Sequence, residues 1–508
     1  MKHSLLLLVL VLFSACSGPY YTTSSYHQNS THQAGEVYDQ IVENEFRTVS
    51  EHPLSTFSID VDGASYANVR RILRAGYLPP RDAVRIEELI NYFNYSYPEP
   101  AEGAPVSLSS EIAPAPWNPR HHLIQIGIQG EHIKTDKLPP NNLVFLIDVS
   151  GSMRDEDKLP LLKQGLKLLV NELEEDDFIS IVVYSGRSGV VLNPTPGNEK
   201  DKILKKINKL RASGFTAGSK GIKEAYKLAK KHFNEDANNR VIMATDGDFN
   251  VGISSDEDLV ALIESERDHG IFLSMLGFGT GNLKDSKMEK IANHGNGNYY
   301  YIDNLLEAKK VLISEMEGTL HTIAKDVKIQ IEFNPQNVHA YRLVGYENRL
   351  LADDEFNDDK RDAGELGVGQ TVTALYEVIP VGVESPGVLP VDPLKYQPKE
   401  SISSTHSDEI MTVKIRYKEP DGDVSELVTG ILKRDEIKET LSENLSFAAS
   451  LASFGMLLRD SKFKGASSFE LVDELARNGK GVDPNGYRAE FIKLAELAEL
   501  LWQGNSKN

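Results

Sequence analysis

Between about residues 140 and 320 the chain alternates short apolar runs with amphipathic stretches, the pattern of a parallel sheet covered by helices on both faces. Leu143-Val144-Phe145-Leu146-Ile147 is continuously apolar, as a strand buried on both sides requires. Phe178 to Tyr184, Arg240 to Ala244, Ile271 to Phe278 and Tyr299 to Ile302 repeat the signal. Helices are expected between them over 159–174, 218–233, 256–268, 284–294 and 304–320. In the first, Leu162, Leu166, Leu169, Val170 and Leu173 share one stripe.

On either side of this block the period changes. Val106 to Ile112 and Leu123 to Ile128 alternate before it; Val327 to Phe333, Val372 to Val378 and Met411 to Tyr417 alternate after it. A period of two marks half-buried antiparallel strands of the kind that pack as a sandwich. The fold class expected is therefore α/β: a doubly wound, mostly parallel sheet at 138–322 inserted between the strands of one β-sandwich, formed by 106–137 and 323–435. Residues 46–105 read as a helical segment, with one helix from Tyr66 to Arg74 before Gly76 and another from about Asp82 to Phe93. Residues 436–508 read as helical again: Leu445, Ala449, Ala452 and Met456 form a stripe, and Ser467 with Glu470 forms a capping box. A last helix is expected from Arg488 to Trp502.

The N-terminus changes the picture. Lys2 and His3 precede an apolar run from Leu5 to Phe13, too short to span a hydrocarbon core of ~30 Å. Ser14-Ala15-Cys16 follows, so residues 1–15 read as a signal peptide and Cys16 as the acylated N-terminus of an exported lipoprotein. The stretch resembles the bacterial lipobox, with Phe13 where leucine is commoner. Several acyl chains would make a stable anchor, and Ser17 fits sorting to the outer rather than the inner membrane of a bacterial envelope. Residues 16–45 are polar and almost free of aliphatic side chains before Val37, the composition of a flexible tether. Cys16 is the only cysteine, so an internal disulfide is excluded and core packing must stabilise the fold.

A length of 508 residues predicts two to four domains, and a formal charge of −20 argues against nucleic acid as a partner, since phosphates would be repelled. The same charge disfavours electrostatic docking on an anionic membrane, leaving the lipid as the membrane contact.

Candidate chemistry sits at the end of the first α/β strand, in Ile147-Asp148-Val149-Ser150-Gly151-Ser152-Met153. Ligands of open α/β sheets bind beyond the carboxyl ends of the strands. The loop offers one carboxylate and two hydroxyls on alternate residues, without the spacing of a nucleotide loop. Hard oxygen donors select Mg²⁺, or Ca²⁺ or Mn²⁺, over zinc or copper. Three ligands are too few, and two later loops supply Thr216, in Gly214-Phe215-Thr216-Ala217-Gly218, and Asp246, in Ala244-Thr245-Asp246-Gly247-Asp248.

Asp148, Ser150, Ser152, Thr216 and Asp246, in that order, resemble the metal-ion-dependent adhesion site of von Willebrand factor A (vWA) and integrin inserted domains. The resemblance implies that the hydroxyls contact the ion, that the aspartates often act through water, and that a partner protein's Asp or Glu completes the shell. Leu54 to Asp62, Ala83 to Phe93, Ala244 to Asn250, Ala363 to Tyr376 and Gly486 to Phe491 further resemble bacterial vWA lipoproteins of the YfbK type, a likeness covering almost everything after residue 38. It implies a membrane-anchored protein that uses a divalent metal for protein–protein interaction or adhesion. The alternative is a structural or assembly protein whose metal only braces the fold.

No enzymatic activity and no catalytic residue are expected. Asp60-Val61-Asp62-Gly63 resembles a haloacid-dehalogenase phosphatase loop, but helices without alternating strands follow it, so Asp60 and Asp62 read as turn or capping residues. There is no His-Glu-x-x-His or Gly-x-Ser-x-Gly, and His121-His122 beside a strand reads as exposed.

Overall fold

The computed structural model describes residues 36–133, 138–185, 188–213, 221–247, 255–281, 283–314, 318, 320–384, 406–420 and 422–505. The chain begins a sandwich with β1 (Arg47–Thr48), β2 (Leu54–Ser58), β3 (Val106–Ala115) and β4 (Asn118–Gly130). Helices α1 (Ala64–Arg74) and α2 (Ile86–Asn91) lie between β2 and β3. It then leaves for the α/β domain and returns with β11 (Thr322–Phe333), β12 (Val338–Val344), β13 (Gly364–Gly367), β14 (Thr371–Pro380), β15 (Glu409–Lys418) and β16 (Glu426–Lys433). One sheet has the order β1-β12-β14-β4-β3; the facing sheet runs β13-β11-β15-β16, with β2 also on β11. Strands from before and after the insertion thus pair directly, β14 with β4 from Thr371↔Gln129 to Val378↔His122. Ile124, Ile126 and Ile128 face Ile329, Ile331, Val413 and Ile415 in the core between the sheets.

The inserted domain is a six-stranded sheet of β5 (Asn141–Asp148), β6 (Phe178–Tyr184), β7 (Gly189–Pro196), β8 (Asn238–Thr245), β9 (Phe272–Phe278) and β10 (Tyr299–Ile302). Their order is β10-β9-β8-β5-β6-β7, parallel except for the edge strand β7. Helices α3 (Leu159–Glu172), α4 (Lys200–Lys209), α5 (Gly221–Lys231), α6 (Asp256–Arg267), α7 (Asp285–His294) and α8 (Leu305–Lys309) cover it. Successive side chains of β5 feed different cores, Leu143, Phe145 and Ile147 one and Val144 and Leu146 the other, which is why the strand reads as continuously apolar.

A third layer was not legible as such. Helices α9 (Glu443–Arg459), α10 (Phe469–Asn478) and α11 (Tyr487–Asn505) join α1 and α2 over the outer face of the first sheet, where Leu123, Val344 and Leu375 meet Phe93, Phe447 and Phe491. Gly455 permits the close approach of α9 to α2, since a Cβ there would stand 2.7 Å from Ile86 Cγ1. This layer buries the strands expected to be half-exposed: β14 is buried from Thr371 to Ile379.

Several expectations are corrected. The segment 46–105 is not purely helical, because Leu54–Ser58 pairs with β11. The helix expected from Asp82 is divided: a 3-10 turn at Arg81–Ala83 precedes α2, and the Arg85 N–H donates to Ser65 Oγ (2.9 Å) where a helix would need it internally. The cap of α10 is Ser468, which accepts from Leu471 N, one residue later than Ser467. His121 is 2% exposed, because Glu377 Oε1 lies 2.6 Å from its Nδ1 inside the helical layer. Both β7 and α4 were unanticipated.

Candidate metal centre

The carboxyl ends of β5 and β8 lie side by side, which follows from their parallel register, Ile147↔Ala244. Asp148 ends β5, and its Oδ1 accepts the Ser150 N–H at 2.8 Å, folding the next residues into a tight turn. That turn sets Ser150 Oγ 2.8 Å from Ser152 Oγ. From β8, Thr245 Oγ1 donates to Asp148 Oδ2 at 3.4 Å, and Asp246 follows at the same edge. Gly247, at φ +98, adopts a conformation that side-chain-bearing residues resist.

Asp148, Ser150 and Asp246 are buried, whereas Ser152 is half-buried. Burial pushes the Asp148 carboxyl up to about 6; the Ser150 N–H and hydroxyl and Thr245 pull it down, and Asp246 pushes it up further. Burial, followed by the Asp148 charge, raises the neighbouring Tyr184 hydroxyl well above its ordinary range. Asp246 Oδ2 accepts from Lys158 Nζ at 2.9 Å, while its Oδ1 is buried with no hydrogen-bond partner among the described residues.

Two carboxylates, two hydroxyls in mutual contact and a buried oxygen that no described residue meets suit a hard divalent cation. Thr216 and Cys16 lie outside the described residues. The chain on both sides of Thr216 does reach this edge: Ser213 N–H donates to Val149 O at 2.8 Å, and Gly221 packs against Tyr184.

Sequence reasoning missed Lys158 and Thr245. Thr245 adjoins Asp246 in the quoted loop and was within reach of the same reading. No spacing rule points to Lys158.

A second group of carboxylates occupies the seam where the α/β domain meets α1, α2 and the sandwich. Oxygens of Asp60, Glu88 and Glu289 lie within 4.8 Å of one another. Each is engaged internally. Asp60 accepts from Asp62 N (3.0 Å) and Arg349 Nε (2.9 Å), and Glu88 from Ser65 N (2.8 Å) and Arg85 Nε. Glu289 accepts from Asn348 Nδ2 at 2.7 Å. Asp62 Oδ1 accepts from Tyr299 N at 3.0 Å, so the Asp60-Val61-Asp62 stretch serves as a turn and an inter-domain tether.

Three family models match the chain: "von Willebrand factor type A domain" at 142–312, "Uncharacterized protein YfbK, C-terminal" at 318–501 and "von Willebrand factor" at 32–125. The chain is similar to Uncharacterized protein YfbK of Escherichia coli (strain K12), at 44% identity over 91% of this chain and 81% of that protein. Human inter-alpha-trypsin inhibitor heavy chain H3 is 28% identical over 47% of this chain and 28% of its own length. A solved structure of proximal thread matrix protein 1 from the mussel byssus, described with a zinc-occupied MIDAS motif, covers 35% of this chain and 48% of that chain, at 19% identity and a TM-score of 0.30.

Proposed function

The chain belongs to the YfbK-type family of von Willebrand factor A-domain proteins, and on that premise we propose that it is a lipid-anchored protein of the bacterial envelope that captures a protein partner through a divalent metal. The reading assigns Mg²⁺, with Ca²⁺ or Mn²⁺ as alternatives, to Asp148, Ser150, Ser152, Thr216 and Asp246. The observation that carries it is the Asp246 oxygen, buried and without a partner among the described residues, at the sheet edge where the Ser150 and Ser152 hydroxyls meet.

Ser150 and Ser152 offer neutral oxygens. Asp148, held by Ser150 and Thr245, orients that turn. A bound divalent ion would supply an electrophilic coordination position, and with few charged ligands around it would favour an incoming Asp or Glu despite the acidic chain. The N-terminal arm reaches the fold at the same edge: Glu36 Oε1 accepts from Gly281 N (3.1 Å) and Val37 N donates to Leu283 O (3.0 Å). That route supports a site that works close to the anchor expected at Cys16.

Capture from envelope extracts tests the reading, with wild type and Asp148→Ala as baits in Mg²⁺ or chelator. The expected result is a partner recovered by wild type in Mg²⁺ alone. Equal recovery by both baits in chelator contradicts it, and metal uptake without metal-dependent capture favours a structural ion.

A further inference from the structure

Lys158 stands at the cap position of α3 and is 5% exposed, an unusual place for an ammonium. Its Nζ donates to Asp246 Oδ2 at 2.9 Å, with the two side chains 6% and 0% exposed. The stem runs across Gly279, where a Cβ would stand 2.1 Å from Lys158 Cε and 2.6 Å from its Cγ. Gly279 has φ +71, and its carbonyl accepts the Tyr301 hydroxyl at 2.6 Å, which fixes the loop against the stem. The lysine is therefore seated in a groove that only glycine leaves open, with its charge delivered to one oxygen of one candidate metal ligand.

We propose that Lys158 is a tethered counter-cation that sets the charge of the metal centre and thereby its preference for a carboxylate partner; this rests on the metal-dependent reading above. Lys158 engages Oδ2, and Oδ1 is the oxygen of Asp246 that meets no group among the described residues and that a cation or its water shell would use. Its formal charge cancels that of Asp246, so among the described groups of this edge a divalent ion is offset by Asp148 alone and one positive charge remains. A partner Asp or Glu neutralises that remainder, which makes a buried complex affordable only with an acidic side chain. Without Lys158, the two carboxylates would balance the ion by themselves. The site would then hold metal more tightly and have less need of a partner.

Mn²⁺ titration of the full-length protein tests this, followed by water-proton relaxation of the bound Mn²⁺ as acetate is added. Lys158→Met is expected to bind Mn²⁺ about tenfold more tightly than wild type, because a neighbouring positive charge is removed. Its bound Mn²⁺ is expected to keep its water at acetate concentrations that displace water in wild type. A purely structural lysine predicts the opposite sign, looser Mn²⁺ binding, and either that or equal affinity overturns the proposal. Gly279→Ala pushes the stem aside without changing its charge and provides the second variant should Lys158→Met misfold. Tighter Mn²⁺ binding is again expected, and an unchanged affinity overturns the proposal. Failure of wild type itself to take up Mn²⁺ would instead overturn the underlying metal reading, a result distinct from equal affinities.

Discussion

Two regions of this molecule concentrate buried carboxylates, and they differ in what surrounds them. At the inter-domain seam the oxygens of Asp60, Glu88 and Glu289 crowd within 4.8 Å, yet guanidinium groups, amides and backbone N–H groups meet them. At the sheet edge the Lys158 ammonium reaches Asp246 alone, Asp148 accepts from the Ser150 N–H and the Thr245 hydroxyl, and among the described residues Asp246 Oδ1 has no partner. An unmet buried oxygen does not by itself separate the two, since Asp285 Oδ1 at the seam also lacks a partner among the described residues. What separates them is the pair of neutral hydroxyls, Ser150 and Ser152, that stands beside the unmet oxygen at the sheet edge.

The seam joins three parts of the chain through Arg85 and Arg349. Arg85, at the start of α2, reaches Glu88 and, at 2.6 Å, Asp285 of α7. Arg349, after β12, reaches Asp60 at 2.9 Å and Asp62 at 3.5 Å. Burial pushes Asp62 and Glu88 well above the ordinary carboxylate range, with Asp60 then raising Asp62 and Arg85 lowering Glu88. Such a network is costly to break from one side, since the abandoned charges stay buried.

Arg349→Met breaks the comparison most severely. It should destabilise the protein by about 3–5 kcal/mol, the scale of removing one partner from a buried ion pair. Trp117 and Trp502 both belong to the helical layer, so tryptophan fluorescence in urea reads the transition on that side of the seam. An unchanged midpoint would show that the seam carries no such load.

A smaller effect concerns Glu87, beside the seam on α2. Burial lifts its carboxyl from 4.5 to about 7, Glu347 adds to the rise and Arg459 opposes it. The folded state therefore holds a proton that the unfolded chain releases. Stability from this group is fully present below about pH 4.5 and is lost as pH rises through about 7. Glu87→Gln should remove that slope and gain about 1–3 kcal/mol at pH 8, with no gain at acid pH. Urea midpoints of both proteins at the two pH values check it; a gain independent of pH would contradict the assignment.

The legible parts of this architecture were those whose cause is local. β6 and β10 were bounded correctly from sequence because strands buried on both faces leave continuous apolar runs. Asp148, Ser150 and Ser152 were visible together because one turn carries them, and Asp246 because it follows a second such strand. β2 was hidden: Leu54-Ser55-Thr56-Phe57-Ser58 is polar by composition, and Thr56 and Ser55 are buried only because Asp353 and Tyr376 meet their hydroxyls. Arg349 and Asp60 stand 289 positions apart, and Lys158 and Asp246 88 apart, distances at which no periodicity speaks.

The most direct test of the contrast is the stoichiometry of Mn²⁺ binding, read by electron paramagnetic resonance, in wild type, Asp148→Ala and Glu289→Gln. One ion per chain is expected in wild type and in Glu289→Gln, and none in Asp148→Ala. Loss of the ion in Glu289→Gln with retention in Asp148→Ala would place the cation at the seam and contradict the account.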